Sequence, residues 1–525
     1  MDILRTRIDG LDALLNGGIR YPHEGSAFVL LSGGAGTGKS LLALELTVRS
    51  FLEDPEQESW HFYYSVEQTA QELCDKVLLE FDAFGTGAEV EKIESPFPRK
   101  VHLRYGKSHL IITKVDTTAP ADPNEARLEV SLDWVIREIE NFSSTHENVH
   151  LVCIDNLSLA LSQLDDRQRR RALVFLRSVL MRQKIHGLFV VESQAGHEPP
   201  GRLARGLAEQ YSADVLIRLG YRVYDNYFKE RYLEILKARN QYYYRGPHHF
   251  SIVGVDHEGQ RLGARGERRP GIHVYPSVPA QLSMLRDASP GQLPRRGRDP
   301  LSFGIPPIDD AIRGQGGPGL VGNTASLLVV NHEYTGTVIG LHFLAAAVRE
   351  GKRALYISLN EDEDAVRLIC QTHEKLQVLL EGGELNRNLA IYHLRPEYIT
   401  PGKFLRDIED HIRVELPSSP RSNNRIERVV FDNIYQIRWK FPLLQNVGIL
   451  VPAMIDYLRF SQVTSLFVDV VEQVKSVRPR SSRIAGMFDF AVHADRNTED
   501  RGGFSFWVTK ALGNDFDGTH RALML

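Results

Sequence analysis

The sequence predicts an α/β protein built from two tandem domains of one fold, each a mainly parallel sheet with helices on both faces. Three observations support this prediction. Apolar, β-prone runs alternate with runs of strong helix formers, a glycine-rich loop joins the first such pair, and the same series of segments occurs twice. At 525 residues the chain is too long for one ordinary core.

The composition is typical of a globular protein, with 42% hydrophobic and 25% charged residues. The formal net charge of −4 argues against a strongly basic nucleic-acid coat protein, although it leaves room for a local basic groove. No run approaches the roughly 18 apolar residues of a membrane span, so we expect a cytoplasmic protein without a membrane segment. Three distant cysteines without metal-ligand spacing are expected to be reduced, mostly buried thiols: Cys74, Cys153 and Cys370.

A glycine-rich loop follows the first predicted strand. Residues Gly33 to Ser40 match the pattern G-x-x-x-x-G-K-[ST], and helix formers continue from Leu41. We expect Lys39 to reach the β- and γ-phosphates of a nucleotide and the Ser40 hydroxyl to bind Mg²⁺. The alternative is a glycine-rich turn that only connects strand to helix. The predicted nucleotide-binding residues of this segment are Gly33, Gly34, Ala35, Gly36, Thr37, Gly38, Lys39, Ser40 and Leu41.

Two carboxylates follow later predicted strands. Asp155 ends an apolar run, where a Walker B aspartate would hold Mg²⁺ together with Ser40. Glu67 ends the strand after the first helix, where a carboxylate can orient or deprotonate the attacking water, and Gln68 beside it can position water. We therefore predict Glu67, Lys39 and Gln68 as catalytic residues with slow hydrolysis. The alternatives are a turn-capping aspartate and a helix-capping glutamate.

Two cations alternate on a late strand. Lys237 and Arg239 are two residues apart, so their side chains are predicted to share a face. Such a pair can reach a phosphate across a subunit boundary, as arginine fingers do. A solvated strand face is the alternative.

Five segments of the sequence occur twice, in the same order. The run from Ile8 to Gly18 corresponds to the run from Ile305 to Gly314, and each precedes an apolar strand, a loop position, a helix and later matching strands. At the second loop position, the alignment by sequence leaves Gly336 as a glycine and places Thr337 at the lysine and Val338 at the Mg²⁺-binding hydroxyl. The predicted second nucleotide site is therefore degenerate.

The repeat predicts three segments: a domain with the intact glycine loop over 1–285, a linker over 286–300, and a degenerate copy of that domain over 301–525. The stretch 85–127 fits the strand–helix alternation poorly and is predicted to be a partly irregular insertion.

The chain resembles the KaiC-like branch of the RecA superfamily. The resemblance depends on the opening run from Ile8, the loop from Gly33, the segment Ser65 to Thr69, the Asp155 strand and Lys237-Ala238-Arg239. It implies ATP-dependent rings, usually hexamers, with the nucleotide between neighbouring protomers. The following residues would act on the ATP of their own protomer: Lys39, Ser40, Glu67 and Asp155. By the same resemblance, Lys237 and Arg239 would approach the neighbour's ATP.

These observations predict a slowly hydrolysing, oligomeric ATPase that uses ATP and Mg²⁺ as an assembly switch. Its second domain would be a pseudo-ATPase that supports assembly or binds a protein partner, without the autokinase activity of circadian-clock relatives. Family members often carry two adjacent glutamates where this chain has Glu67-Gln68, which favours a low rate. Two alternatives remain: a scaffold that never hydrolyses, and a RecA- or DnaB-like nucleic-acid machine that uses the loop from Glu192 to Arg202.

Overall fold

The structure is a computed structural model of the chain. It describes residues 1–93, 99–115, 132–161, 164–192, 213–224, 228–255, 261–262, 269–288, 296–297, 299–314, 319–394, 400–413, 425–440, 450–471, 484–496, 504–513 and 516–523.

The chain divides into two compact units, Met1–Ala280 and Gln281–Leu525. This division lies a few residues before the predicted boundary at 285. In the predicted linker, 286–300, the first three residues end a helix, and Arg296 donates to the buried Asp489 carboxylate at 2.9 Å. Part of this segment is therefore attached to the carboxy-terminal unit.

The amino-terminal unit is an α/β domain. Its strands are β1 Asp2–Leu4, β2 Ile19–Tyr21, β3 Phe28–Gly33, β4 Ser59–Ser65, β5 Glu91–Ile93, β6 Lys100–Tyr105, β7 Ser108–Lys114, β8 Val149–Asp155, β9 His186–Glu192, β10 Val215–Tyr224, β11 Phe228–Ala238, β12 Pro247–Val255, β13 Arg261–Leu262 and β14 Gly271–Tyr275. Its helices are α1 Leu11–Leu14, α2 Lys39–Phe51, α3 Ala70–Asp75, α4 Asp82–Gly85, α5 Leu132–Ser143, α6 Leu157–Ala160 and α7 Asp166–Arg182, with a π-helical turn over Lys76–Glu80. A further helix, α8 Val278–Ala288, runs across the division between the units.

The main sheet of this unit has the order β13-β12-β11-β10-β3-β9-β8-β4-β7-β6-β5, with β14 paired to β12. Strands β10, β3, β9, β8, β4 and β7 run parallel. The central strands are buried along most of their length because helices cover both faces of a parallel sheet, as the six buried residues of β3 illustrate. The parallel α/β fold predicted for this half of the chain is confirmed.

The stretch 85–127 is more regular than predicted where it is described. Strands β6 and β7 form a hairpin around Gly106, and β7 joins the sheet in parallel to β4. In β6, buried residues alternate with more exposed ones, which is the pattern of a half-covered strand near a sheet edge. The β6–β7 hairpin was not predicted, because two consecutive strands do not fit an alternation of strands and helices. Residues 94–98 and 116–127 lie outside the described residues.

The carboxy-terminal unit is a second α/β domain. Its strands are β15 Pro300–Leu301, β16 Leu320–Val321, β17 Ala325–Val330, β18 Arg353–Ser358, β19 Leu380–Glu381, β20 Glu384–Leu385, β21 Leu389–His393, β22 Ile426–Asp432, β23 Thr464–Val470, β24 Phe490–Arg496, β25 Phe504–Ala511 and β26 Arg521–Leu523. Its helices are α9 Pro306–Arg313, α10 Glu333–Arg349, α11 Glu363–Thr372, α12 Pro401–Arg413, α13 Ile434–Lys440 and α14 Leu450–Phe460, with 3₁₀ turns at Glu374–Leu379 and Ala485–Met487.

The two main sheets share one topology. The second has the order β21-β18-β22-β23-β17-β24-β25-β26, and its first six strands run parallel. Taken in the same direction, β7-β4-β8-β9-β3-β10-β11 of the first sheet has the same connectivity. The repeat seen in the sequence is therefore a repeat of the fold.

The three cysteines are buried and free, as predicted. Among the described residues, the structure contains no helix of the length and apolarity that a membrane span requires.

Candidate functional site

The loop after β3 lies at the point where the strand order of the first sheet reverses. From β3 the chain passes through α2 to β4 on one side, and it later returns through β9 to β10 on the other side. Open α/β sheets bind their ligands at such a point, outside the carboxyl ends of the strands. The nine predicted residues from Gly33 to Leu41 occupy the end of β3, the loop and the first turn of α2.

Glycines give this loop its shape. A Cβ on Gly33 would lie 2.3 Å from the Leu219 carbonyl oxygen, so the strand end admits no side chain. Gly36 and Gly38 have φ values of 72° and 98°, a region that L side chains rarely adopt. The loop therefore curves tightly over the amino terminus of α2, whose unpaired N–H groups and dipole favour an anion.

Lys39 folds back onto this loop. Its Nζ donates to the Gly34 carbonyl oxygen at 2.6 Å, and the Thr37 hydroxyl donates to the same oxygen at 2.9 Å. Burial lowers the pKa of Lys39, while the carboxylates of Glu192, Asp155 and Glu67 oppose that shift. The ammonium group therefore lies among acidic groups, where a polyphosphate can replace the carbonyl as its partner.

Tyr221 closes the other side of the loop. Its hydroxyl, on β10, donates to the Gly36 carbonyl oxygen. Tyr221 was not predicted from the sequence, because it comes 181 positions after Ser40 and no local pattern marks it.

Ser40 and Asp155 meet as predicted from the Walker pattern. The Ser40 hydroxyl donates to Asp155 Oδ1 at 3.0 Å, and the Tyr63 hydroxyl donates to Oδ2 at 2.9 Å. The Asp155 side chain is only 5% exposed. Burial raises the pKa of Asp155, and the hydrogen bonds from Tyr63 and Ser40 counteract the rise. A hydroxyl and a carboxylate side by side form the hard-oxygen donor set that suits Mg²⁺.

Glu67 lies next to the end of the Asp155 strand. Its carboxylate accepts a hydrogen bond from the Asn156 side-chain nitrogen at 2.5 Å, and Asn156 adopts a left-handed conformation with φ of 70°. Glu67 does not cap α3, because that cap is formed by Thr69 and Glu72. Gln68 belongs to the same turn, and its backbone N–H donates to Ser65 Oγ at 3.0 Å.

Arg239 lies at the opposite end of the sheet from the loop, and Lys237 lies two residues nearer to the loop, at the level of Leu30 in β3. Lys237 is in register with Leu216, and the Arg239 backbone N–H donates to the Asp214 carbonyl oxygen at 2.8 Å. Asp214 also accepts from the backbone N–H of Phe28, the first residue of β3, at 3.1 Å. Because β3 rises by about 3.3 Å per residue, roughly 16 Å of strand separates this end from the loop.

An acidic residue holds this cationic end together. The Asp214 carboxylate accepts from Arg177 at 2.7 Å and lies 3.6 Å from the Arg239 guanidinium group. Burial lowers the pKa of Lys237, and the neighbouring Arg239 lowers it further. The structure therefore brings the two predicted cations together, but away from the nucleotide loop of the same chain.

The equivalent edge of the carboxy-terminal unit requires a correction to the sequence alignment. The Thr337 hydroxyl donates to Asp432 Oδ2 at 2.7 Å, and Tyr356 donates to the same oxygen at 2.7 Å. Thr337 is thus the counterpart of Ser40, and the lysine is replaced by Gly336. The predicted assignment of Thr337 to the lysine and Val338 to the hydroxyl was wrong by one residue.

The loop itself differs between the two units. Helix α10 begins at Glu333, three residues before the position that matches Lys39, so helical residues stand where the first unit has an open loop. Glu333 accepts from the Gln436 side chain at 3.3 Å. Burial raises the pKa of Asp432 to about 7, with further contributions from Glu361 and Glu333. This edge is acidic where the first one carries a lysine.

In the carboxy-terminal unit, Lys510 of β25 pairs with Ala491 as Lys237 of β11 pairs with Leu216, and it is therefore the counterpart of Lys237. Its side chain donates to the Gly486 carbonyl oxygen at 3.0 Å. Glu192 ends β9 beside the nucleotide loop, but the rest of the loop proposed for nucleic acid, 193–202, lies outside the described residues.

Comparison with known families gives one finding. Residues 4–256 match the family model "ATPase: KaiC", a range that contains the glycine loop, both carboxylates and the two cations of β11 and its end. No curated protein matches the chain. The amino-terminal unit of this chain is therefore a KaiC-like P-loop ATPase domain of the RecA superfamily.

Proposed function

We propose that the protein is a slow, oligomeric ATPase in which Mg·ATP bound to the amino-terminal domain controls assembly. The contact that carries this proposal is the Ser40–Asp155 hydrogen bond of 3.0 Å beside Lys39, at the mouth of the glycine loop. Lys39, Ser40 and Asp155 together supply the cation, the hydroxyl and the carboxylate that a nucleoside triphosphate with a divalent ion requires.

The loop residues bind the triphosphate. Lys39 exchanges the Gly34 carbonyl oxygen for the β- and γ-phosphates, and the loop N–H groups surround the phosphate oxygens. Ser40 would ligate Mg²⁺ directly and Asp155 through water. The ion, when bound, neutralises charge on the phosphates and polarises the bond that breaks.

We assign Glu67 as the residue that deprotonates the attacking water. Its carboxylate is exposed at the same sheet edge, and the Asn156 amide orients it. It can accept the proton of the water as the water oxygen bonds to the γ-phosphorus and the bond to the departing ADP breaks. Gln68 stands where related proteins often carry a second glutamate, and an amide can position water but cannot deprotonate it. We therefore propose a low rate.

The position of the two cations supports an interface role. Arg239 lies at the far end of the sheet from the loop of its own chain, and Lys237 lies level with the middle of β3, so both are suited to the ATP of a neighbouring protomer. This arrangement would place each nucleotide between two chains, as in a closed ring. A hexamer is the ring size that the family resemblance favours.

The carboxy-terminal domain acts, in this proposal, as a scaffold that does not turn over ATP. Its loop position is helical, its lysine is replaced by Gly336, and Glu333 brings negative charge toward the place of the phosphates. Loss of a lysine facing several phosphate charges would lower nucleotide affinity strongly, since charge-assisted hydrogen bonds are about twice as strong as neutral ones. We propose that this domain supports assembly or binds a protein partner.

Light scattering tests the proposal. The mass of the purified protein is measured with and without Mg·ATP, for the natural sequence, for Lys39→Ala and for the control Lys184→Ala, whose lysine side chain is 59% exposed. We expect ATP to increase the mass of the natural protein and of the control but not of Lys39→Ala. An ATP-dependent oligomer that persists in Lys39→Ala would contradict the proposal.

A further inference from the structure

Tyr63 is a fully buried residue of β4 with no assigned role in the ATPase. Its side chain is 0% exposed, and its hydroxyl donates to Asp155 Oδ2 at 2.9 Å. The same hydroxyl lies 3.2 Å from the backbone carbonyl oxygen of Ser40. A buried phenol needs a polar partner, and here the partners are the two residues proposed to hold Mg²⁺.

The Asp155 carboxylate is held on both sides. Ser40 donates to Oδ1 from the start of α2, and Tyr63 donates to Oδ2 from the neighbouring strand. Two hydrogen bonds on different oxygens fix the plane of a carboxylate, which a single bond would leave free to rotate. Removing the Tyr63 hydroxyl would therefore free the orientation of the Asp155 carboxylate without removing the carboxylate itself.

A related arrangement occurs in the carboxy-terminal unit, where Thr337 and Tyr356 both donate to Oδ2 of Asp432. Tyr356 donates to Asp432 at 2.7 Å and, like Tyr63, is 0% exposed. There the hydroxyl–aspartate–tyrosine cluster stands without a lysine and beneath a helical turn. The second copy therefore supplies a control, a buried tyrosine that donates to the corresponding aspartate without the loop that would bind phosphate.

We propose that Tyr63 is a positioning residue for the divalent ion, one that orients the Asp155 carboxylate toward the metal beside Ser40. The inference rests on the proposed function of this site. Groups that hydrogen-bond to metal ligands typically change metal affinity by about 10- to 100-fold when they are removed. Tyr63 touches neither the phosphates nor the attacking water in this account, so its effect should be confined to metal-dependent binding.

The test compares nucleotide binding with and without metal. ATP affinity of the full-length chain is measured by calorimetry in excess Mg²⁺ and again in EDTA, for the natural protein, Tyr63→Phe and Tyr356→Phe. We expect Tyr63→Phe to bind ATP normally in EDTA but to lose about 10- to 100-fold of the gain that Mg²⁺ confers. Tyr356→Phe should match the natural protein in both conditions.

A double-variant cycle separates positioning from a general defect in packing. If Tyr63 acts through Asp155, Tyr63→Phe combined with Asp155→Asn should lose no more metal-dependent affinity than Asp155→Asn alone. Additive losses, an equal fall with and without Mg²⁺, or an unchanged Mg²⁺ gain in Tyr63→Phe would each overturn the inference. Failure of the natural protein to bind Mg·ATP at all would instead overturn the proposed function.

Discussion

The nucleotide edges of the two domains share their scaffold and differ in the parts that would touch phosphate. Each has a hydroxyl on the helix after the central strand and an aspartate that accepts a hydrogen bond from it. A tyrosine on the next strand along the chain also donates to that aspartate. Only the first has an open glycine loop and a lysine. The second has a helical turn and Gly336 in their place.

The opposite ends of the sheets show a similar division. Asp214 binds Arg177 and the backbone of β3, and Asp489 binds Arg459 and the backbone of β17 in the same way. Leu512 stands at the counterpart of Arg239, and the second arginine that binds Asp489 is Arg296 instead. Residues that maintain the fold are thus retained in both copies. Of the proposed ATP-contacting cations, Lys39 and Arg239 have no cationic counterpart in the second domain, whereas Lys237 corresponds to Lys510.

The largest expected difference between the domains concerns catalysis. Glu67→Gln should lower the rate of phosphate release by about 10²- to 10⁴-fold, because the amide cannot take the proton of the attacking water. ATP binding should be nearly unchanged. Asn360→Ala, at the equivalent position of the second domain, should leave the rate as it is. Steady-state phosphate release would show this, and an unaltered rate in Glu67→Gln would remove Glu67 as the base.

A second difference concerns the buried aspartate of the carboxy-terminal domain. Its pKa is raised from 3.8 to about 7, so the folded state holds a proton that the unfolded state releases between these values. Folding stability should therefore fall as pH rises through that window. Asp432→Asn removes the titrating group and should stabilise the domain at pH 8 by at most about 4 kcal/mol, at about 1.4 kcal/mol per pKa unit.

Calorimetric melting of the Asp432→Asn variant at pH 5 and pH 8 checks this expectation. At pH 5 the carboxyl group is protonated in the folded protein, so the difference from the natural sequence should become small. An equal loss of stability at both pH values would show that Asp432 is needed as a hydrogen-bonding carboxyl rather than tolerated as a buried charge.

The smallest effect should come from restoring the missing lysine. Gly336→Lys should not create ATP binding, because the helical turn at Glu333 still occupies the loop position. It should also destabilise the domain by about 1–3 kcal/mol through overpacking, since a Cβ there would lie 2.5 Å from Val468 Cγ1. Gly486→Lys, where a Cβ meets nothing within 4 Å, is the control. A stable Gly336→Lys protein that binds ATP would refute the comparison.

Local patterns in the sequence were enough to predict which loop, hydroxyl and carboxylate residues lie together at the first candidate site. The glycine loop, Ser40, Asp155 and Glu67 each follow a recognisable strand, and parallel strands bring their carboxyl ends to one edge. Tyr63 and Asn156 were not predictable in the same way, because their roles depend on contacts between strands far apart in sequence. The missed alignment of Thr337 has a related cause, since the second loop has lost most of its glycines and only the contact with Asp432 fixes its register.

The count of ATP molecules bound per chain tests the asymmetry between the domains most directly. Equilibrium dialysis with saturating Mg·ATP should give one ATP per chain for the natural protein and none for Lys39→Ala. Two per chain in the natural protein, or one remaining in Lys39→Ala, would show that the carboxy-terminal domain binds nucleotide and would contradict the account.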